Sequence, residues 1–199
     1  MAKVMHVQVV YWLVLTGMAL VANILTDVTI DTVAMTIILT GMTLHGVHRL
    51  GHVPVDKRKW PTWWNWFLVH TIGHHRLSYP ETSFLATKYQ DNPIDARFVG
   101  TLVYTIPCVF ILIMVHYILC ESLAQTASLA AILAIVLLFE DRMHAQIHLD
   151  GSSLERYQWF QDLRAVHRLH HASSSRVNFG VINLTFDVLF GTFSHTRPA

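Results

Sequence analysis

Four long apolar stretches constrain this chain most, because each approaches the roughly 20 mainly apolar residues that a membrane helix needs. They cover about residues 7–25, 32–50, 98–120 and 124–144. A short turn joins the first two and another joins the last two, which gives two helical hairpins. Only 14% of the 199 residues are charged, whereas a soluble domain carries about a quarter. We therefore expect an all-α integral membrane protein with four transmembrane helices.

The basic residues predict how these helices are oriented. The two hairpin turns, TDVTID and ESLAQT, contain no lysine or arginine, and all fourteen basic residues lie on the other side. By the positive-inside rule, both termini, the connection at about 51–97 and the tail at about 145–199 are cytoplasmic. We expect residues 1–199 to form a single membrane domain with a cytoplasmic helical cap. The net charge of +1 gives no reason to expect a nucleic-acid partner.

Several shorter segments carry further expectations. The N-terminal apolar run lacks a small-residue cleavage site and predicts a first span or signal anchor. Cys108 and Cys120 lie in apolar sequence and predict no disulfide. Four tryptophans in WPTWWNWF suggest an interfacial helix over residues 60–75, or else a buried aromatic core. Residues 76–98 could cover a site or simply connect two elements. The basic stretch VDKRKW, residues 55–60, could contact anionic lipid or an acidic electron donor, or only fix the topology.

Histidine is unusually abundant, with fourteen residues, and imidazole is the commonest protein metal ligand. Thirteen lie on the predicted cytoplasmic side. The exception, His116, is expected to be a hydrogen-bonded packing residue. Four clusters have helical spacing, so that each presents at least two imidazoles to one point in space. The clusters are His48 with His52; His70 with His74 and His75; His144 with His148; and His167 with His170 and His171.

Four clusters on one side of a bilayer indicate a metal centre, although a lone pair would more often be a solvated helix face. Ten histidines exceed the four to six ligands that one ion takes, so two ions are the economical interpretation. Imidazole suits iron, zinc, copper or nickel, which leaves the metal open. Among nearby carboxylates, Asp141 and Asp187 are the candidates for orienting the ligand rings.

The ordered series HRLGH, HTIGHH, HAQIH and HRLHH, followed by NFGV and DVLFGTF, resembles the membrane-bound fatty acid hydroxylase/sterol desaturase superfamily. The similarity covers about residues 45–193. It implies a di-iron oxygenase that uses O₂ and two electrons to hydroxylate or desaturate a lipid-like substrate, with zinc able to replace iron in purified samples. It also implies ten metal ligands: His48, His52, His70, His74, His75, His144, His148, His167, His170 and His171.

Two departures from the family pattern concern the ligands. Three residues separate His70 from His74 where two are usual, so His70 is expected to be offset or to bind through a distorted turn. His45 competes with His48 for the first position. The chain shows no fused cytochrome b5 domain, and electrons are expected from a separate ferredoxin, cytochrome b5 or reductase.

Three alternatives remain open at this stage. The HRLHHA-like box is shared with carotenoid hydroxylases, although DVLFGTF is more similar to the fatty acid hydroxylase branch. A zinc-dependent membrane hydrolase could use the same histidine cluster, but the sequence lacks an H-E-x-x-H base. A metal carrier or sensor that catalyses no reaction is the third alternative.

Overall fold

The computed structural model describes residues 2–89, 97–120, 122–173 and 176–196, and its regular structure is helical. The helices are α1 (Ala2–Thr26), α2 (Ile30–Leu50), α3 (Pro61–Phe67), a π-helix (Leu68–Ser78), α4 (Arg97–Leu119), α5 (Leu123–Ile147), α6 (Gln158–Ala172) and α7 (Thr185–Leu189). Short 3₁₀ turns cover Glu81–Ser83 and Ser153–Arg156. Within the described ranges the only β-type pairing is a bridge between Ala86 and Leu149. The expectation of an all-α protein is confirmed.

The two predicted hairpins are present, and polar side chains define both turns. Thr29 caps α2 by accepting a hydrogen bond from the Thr32 amide (3.3 Å). Ser122 caps α5 in the same way. Such caps satisfy helix N-terminal amides that have no partner within the helix. His116 hydrogen-bonds the Thr126 hydroxyl across the second hairpin, as expected of a packing residue.

Two helices, α2 and α5, are long and apolar enough to cross a membrane, while α1 and α4 contain the shorter apolar segments Tyr11–Leu25 and Ile106–Leu119. Only 33% and 22% of the residues in the apolar windows of α2 and α5 are buried, whereas the core helix of a soluble protein is mostly buried. Large apolar side chains also face outward on the shorter segments, including Leu13 (65% exposed) and Phe110 (63% exposed). An apolar surface of this extent fits contact with lipid.

Two apolar cores lie at different levels of the molecule. The first packs the four long helices together through residues such as Leu15, Val33, Val115 and Leu129. The second joins the end of α5 to α6 and the C-terminal tail. Its members are Phe84, Met143, Ile147, Phe160, Leu163, Val166, Ile182 and Leu184. Cys108 and Cys120 are both free, as predicted.

The C-terminal tail returns to the first two helices. On α1, the Gln8 side chain donates to the Ile182 carbonyl (2.7 Å) and accepts from the Leu184 amide (3.0 Å). On α2, a Cβ at Gly41 would lie 2.3 Å from the Phe186 ring, so only glycine admits this close approach. These contacts place the tail beside the end of α2, where the first histidine cluster begins.

Candidate metal centre

The structure brings together the ten histidines singled out in the sequence. The five-histidine group consists of His48, His52, His70, His75 and His170. The four-histidine group consists of His74, His148, His167 and His171. Within each group the candidate ligand nitrogens all lie within 4.8 Å of one another. The tenth histidine, His144, adjoins the four-histidine group, with its Nε2 atom 3.1 Å from that of His167.

The spacing of the ring nitrogens fits metal coordination. In the five-histidine group, Nε2 of His170 lies 3.0 Å from that of His48 and 3.2 Å from that of His52. In the four-histidine group, Nε2 of His167 lies 3.2 Å from Nε2 of both His148 and His171. Adjacent nitrogens about 2.0–2.1 Å from one ion would be about 2.8–3.4 Å apart in octahedral or tetrahedral geometry.

A buried ring nitrogen without a partner supports the same conclusion. Among the described residues, Nε2 of His74 is buried and has no hydrogen-bond partner. An unsatisfied buried polar atom of this kind is costly unless something outside the chain binds it. The residues present therefore fit one ion in each group.

Hydrogen bonds at the opposite ring nitrogens orient several imidazoles. The Nδ1 atoms of His170, His171 and His148 lie 2.7, 2.9 and 3.1 Å from the carbonyl oxygens of Val177, Tyr79 and Phe84. Since a carbonyl can only accept, each Nδ1 carries the proton and each Nε2 keeps a free lone pair. These bonds point the lone pairs at the centres of the two groups.

Burial keeps these rings neutral, which is the form that binds metal. Desolvation, together with the neighbouring His144, lowers the pKa of His148 to about 2. Desolvation, together with His170, lowers the pKa of His52 to about 2. The pKa of His170 falls to about 4, also through burial. Protons therefore compete weakly with a cation for these nitrogens at neutral pH.

The π-helix explains the unusual spacing of the second box. Its wider turn brings His70 and His75, five residues apart, into one group with their Nε2 atoms 3.2 Å apart. His74 joins the other group. The distorted turn that was one of the two alternatives for His70 corresponds to this π-helix. Two imidazoles of the second box do share a group, but they are His70 and His75 rather than His70 and His74, because a π-helix places i and i+5 over one another.

The last box also serves both groups. On α6, His167 and His171 are four residues apart and join the four-histidine group, whereas His170 joins the five-histidine group. The two groups are adjacent, since the rings of His75 and His171 stack with centroids 3.9 Å apart. The arrangement can hold a pair of neighbouring ions.

Comparison with known sequence families identifies the chain. The sequence model described as fatty acid hydroxylase matches residues 33–192, which include all four histidine boxes and most of the tail. The chain belongs to the fatty acid hydroxylase family. Searches of curated proteins and of solved structures gave no match. Membership implies a membrane-associated oxidoreductase, and the two histidine groups are consistent with the metal dependence of this family.

In this member of the hydroxylase family, His45 lies outside both groups. Its Nε2 atom is 3.3 Å from Oδ1 of Asp187 and 3.2 Å from the Thr192 hydroxyl. The Asp187 carboxylate also accepts the amides of Phe179 (2.8 Å) and Gly180 (2.7 Å). Burial alone would raise the pKa of Asp187, but the hydrogen bonds outweigh it and the pKa lies below its usual value.

The NFG and FGT motifs of the tail form this carboxylate site. Asn178 adopts a left-handed backbone (φ 57°), which asparagine tolerates better than most residues. A Cβ at Gly180 would lie 2.8 Å from Oδ2 of Asp187, so only glycine brings its amide this close. Between them, the Phe179 ring packs against His170, with centroids 5.6 Å apart. Asp187 thus supports the five-histidine group from outside, whereas Asp141, the other carboxylate candidate, is exposed.

The sequence analysis missed Arg164. Its guanidinium donates to the carbonyls of Gln146 (3.1 Å) and Leu149 (2.8 Å) and to Oε1 of Glu155 (2.7 Å). These carbonyls flank His148, so Arg164 fixes the end of α5 against α6. The S-x-x-E capping box at 152–155 was readable in the sequence, but the contact with α5 was not.

Proposed function

We propose that this chain is a membrane-bound di-iron oxygenase that uses O₂ and two electrons to hydroxylate a C–H bond of a lipid or similar hydrophobic substrate. The observation that carries the proposal is the convergence of two adjacent groups made up of histidine in a member of the fatty acid hydroxylase family. An unactivated C–H bond offers side chains no acid, base or leaving group. When bound, the iron pair would supply the oxidising power that histidine lacks.

The proposed ligands are the ten histidines of the four boxes. The five-histidine group would hold one ion, and the four-histidine group with His144 would hold the other. His45 is not among them, because it is hydrogen-bonded to Asp187 and Thr192 instead. All ten imidazole donors are neutral, so they would not offset the positive charge of the bound cations. Imidazole alone does not select iron, and zinc would fill the same groups in a sample that is rich in zinc.

The protein residues would orient the ligands and limit access of water. Backbone carbonyls fix the rings of His148, His170 and His171. Tyr79 stacks on His148 with centroids 4.0 Å apart, and Phe84 lies against the same ring at 4.7 Å. These buried aromatic residues would keep solvent from one side of the centre, which protects a reactive site from unwanted reactions.

We propose that α1, α2, α4 and α5 all cross the membrane and that the metal centre lies at its cytoplasmic face. The outward-facing apolar residues on all four helices support the spans. The absence of lysine and arginine from both hairpin turns supports the orientation. A lipid chain could then reach the histidine groups from within the bilayer.

Lipid mass spectrometry tests the proposed function. Cells expressing the wild type should contain a lipid that has gained one oxygen atom, and this lipid should be absent when His170→Ala replaces the wild type. A lipid that has lost two hydrogen atoms would show desaturation by the same centre. The control is His195→Ala, since His195 is exposed and lies outside both groups. Unchanged lipids in wild-type cells, with iron loaded and reductant supplied, would contradict the proposal.

A further inference from the structure

We propose that residues 53–60, termed here the basic loop, form the docking surface for an acidic redox protein that carries one electron at a time. Electrons would then reach the metal centre at the edge of His52. This inference rests on the proposed function, because an O₂-dependent hydroxylation needs two electrons from a donor. It adds a place on the surface and a partner chemistry to that function.

The first step is the partial exposure of a proposed ligand next to the basic loop. Of the nine histidines in the two groups, eight are buried and His52 is partly exposed. His52 follows the C-cap of α2, in the turn that leads into the basic loop. Within the five-histidine group, the His52 ring is therefore where the ligands reach the surface, and the other partly exposed proposed ligand, His144, adjoins the four-histidine group instead.

The second step is the charge beside that ring. Lys57, Arg58 and Lys59 are all exposed and form the only run of three consecutive basic residues in the chain. Val53 (44% exposed) and Trp60 (55% exposed) provide apolar surface at the two ends of the loop. A basic surface with exposed apolar residues suits a weak, rapid encounter with an acidic partner.

The third step is that the loop has a defined place. Inside it, the Asp56 carboxylate accepts the Arg58 amide (2.8 Å), and the Asp56 carbonyl accepts the Trp60 amide (2.8 Å). Beyond it, the indole nitrogen of Trp63 donates to the Leu50 carbonyl (3.1 Å). These bonds tie α3 to the end of α2, so the basic run is held near His52.

A buried indole provides a second contact between this region and the ligands. Trp66 donates to the Val47 carbonyl (3.1 Å), and its ring stacks on His70 with centroids 5.1 Å apart. A Cβ at Gly51 would lie 2.5 Å from the indole nitrogen, so the helix end and the indole are closely packed. A partner on the basic loop would thus approach two ligands of the five-histidine group.

Anionic lipid is the competing partner, because lysine beside tryptophan is also typical of membrane surfaces. The partly exposed ligand favours a redox protein, since lipid binding gives no reason for a metal ligand to reach the same surface. The reaction balances with two carriers. Each carrier gives one electron. The two electrons and two protons reduce one oxygen atom of O₂ to water, while the other oxygen atom is inserted into the C–H bond.

The test measures donor binding separately from turnover. The protein is placed in nanodiscs of phosphatidylcholine, which carry no net charge, and is titrated with an acidic plant-type [2Fe–2S] ferredoxin. Reversing the loop charges (Lys57→Glu, Arg58→Glu, Lys59→Glu) should raise the dissociation constant at least about tenfold at low salt. The difference should shrink at high salt, where exposed charges are screened. A matched triple reversal of the exposed Lys88, Arg156 and Arg168 should bind like the wild type.

Turnover with a small reductant separates the two proposals. With reduced methyl viologen, the loop variant should match the wild type, because no protein has to dock. If the wild type fails to turn over with this reductant, the proposed function fails while the binding result still stands. Equal ferredoxin affinity in the wild type and the loop variant, or no affinity in the wild type, overturns the docking surface. A defect that appears only in nanodiscs containing phosphatidylserine, and with both reductants, also overturns it and assigns the loop to lipid.

Discussion

The two histidine groups contain the same residue type but differ in how the chain encloses them. All members of the four-histidine group are buried between the π-helix, α5 and α6, and Arg164 fixes the end of α5 beside it. The five-histidine group lies at the end of α2, includes the partly exposed His52, and is supported by Asp187 in the tail. The four-histidine group itself is therefore closed, with only the adjoining His144 partly exposed, whereas the five-histidine group includes a ring that reaches the surface.

Removing one ligand from each group should have the largest effect. Both His170→Ala and His171→Ala should lower turnover at least ~100-fold, because both ions are needed and loss of even an indirect partner costs 10–100-fold. Each variant should lose about one ion per chain and stay in the membrane fraction. Product analysis and elemental analysis measure the two effects, with His195→Ala as the control. Substantial activity in both ligand variants would count against the assignment.

Lowering the pH tests a property that the two groups share, the burial of neutral histidine rings. In the metal-free protein, burial lowers the pKa of His148 and His52 to about 2, so below about pH 6.5 the unfolded chain binds protons that the folded chain does not. The free energy of unfolding should therefore fall as the pH drops from 6.5, by up to ~1.4 kcal/mol per pH unit for each such histidine. Denaturation in mild detergent between about pH 7.5 and 5 measures this change in the free energy of unfolding. His148→Leu should flatten the profile, whereas His195→Leu should not, and a flat wild-type profile would be inconsistent with buried neutral rings.

Asp187→Asn should lower metal affinity at the five-histidine group much more than at the four-histidine group. The variant places an amide where the carboxylate accepts two backbone N–H groups, so the Phe179 contact with the five-histidine group should loosen. We expect metal affinity at that group to fall roughly 10–100-fold, with little change at the four-histidine group. Competition with a chelator measures both affinities. The exposed Asp150→Asn is the matched control, and equal losses at both groups would break the comparison.

Arg164→Lys should give a smaller effect on the opposite group. Lysine keeps the charge but cannot reproduce the planar guanidinium contacts with Gln146, Leu149 and Glu155. We expect stability to fall by about 1 kcal/mol, the usual contribution of a hydrogen bond, and affinity to weaken at the four-histidine group. Thermal unfolding and chelator competition are the measurements, with Arg168→Lys as the control. A larger loss at the five-histidine group would reverse the expected order.

Metal exchange at neutral pH should show the smallest difference. Solvent reaches a member of the five-histidine group at His52, whereas the four members of the other group are all buried and only the adjoining His144 is partly exposed. A chelator added to the doubly loaded protein should remove the two ions in separate phases, the faster one from the five-histidine group. His170→Ala should eliminate the fast phase, because that group no longer holds its ion. A single phase in the wild type would mean that exposure of His52 does not control release.

Much of the fold and the site could be predicted because the relevant signals are local. Hydropathy over about 20 residues located the helical hairpins, and spacing of three or four residues grouped the histidines on helix faces. The same spacing pairs His74 with His70, whereas the structure places His74 in the four-histidine group. Nothing in the local pattern distinguishes a π-helix from an α-helix. The spacing also left His45 and His48 as alternatives, because both lie on one face of α2.

The sequence by itself determined the abundance of histidine, its local spacing and the apolar helices, since each is a property of a residue or of its near neighbours. Only the tertiary structure decided which imidazoles lie together in each group. The side chains of His48 and His170 are in contact although 122 positions separate them in the sequence, and those of His45 and Asp187 although 142 positions do. Contacts of that separation depend on how helices pack and on where the tail returns. The division into a closed and an accessible group is therefore a result of packing, which no local pattern encodes.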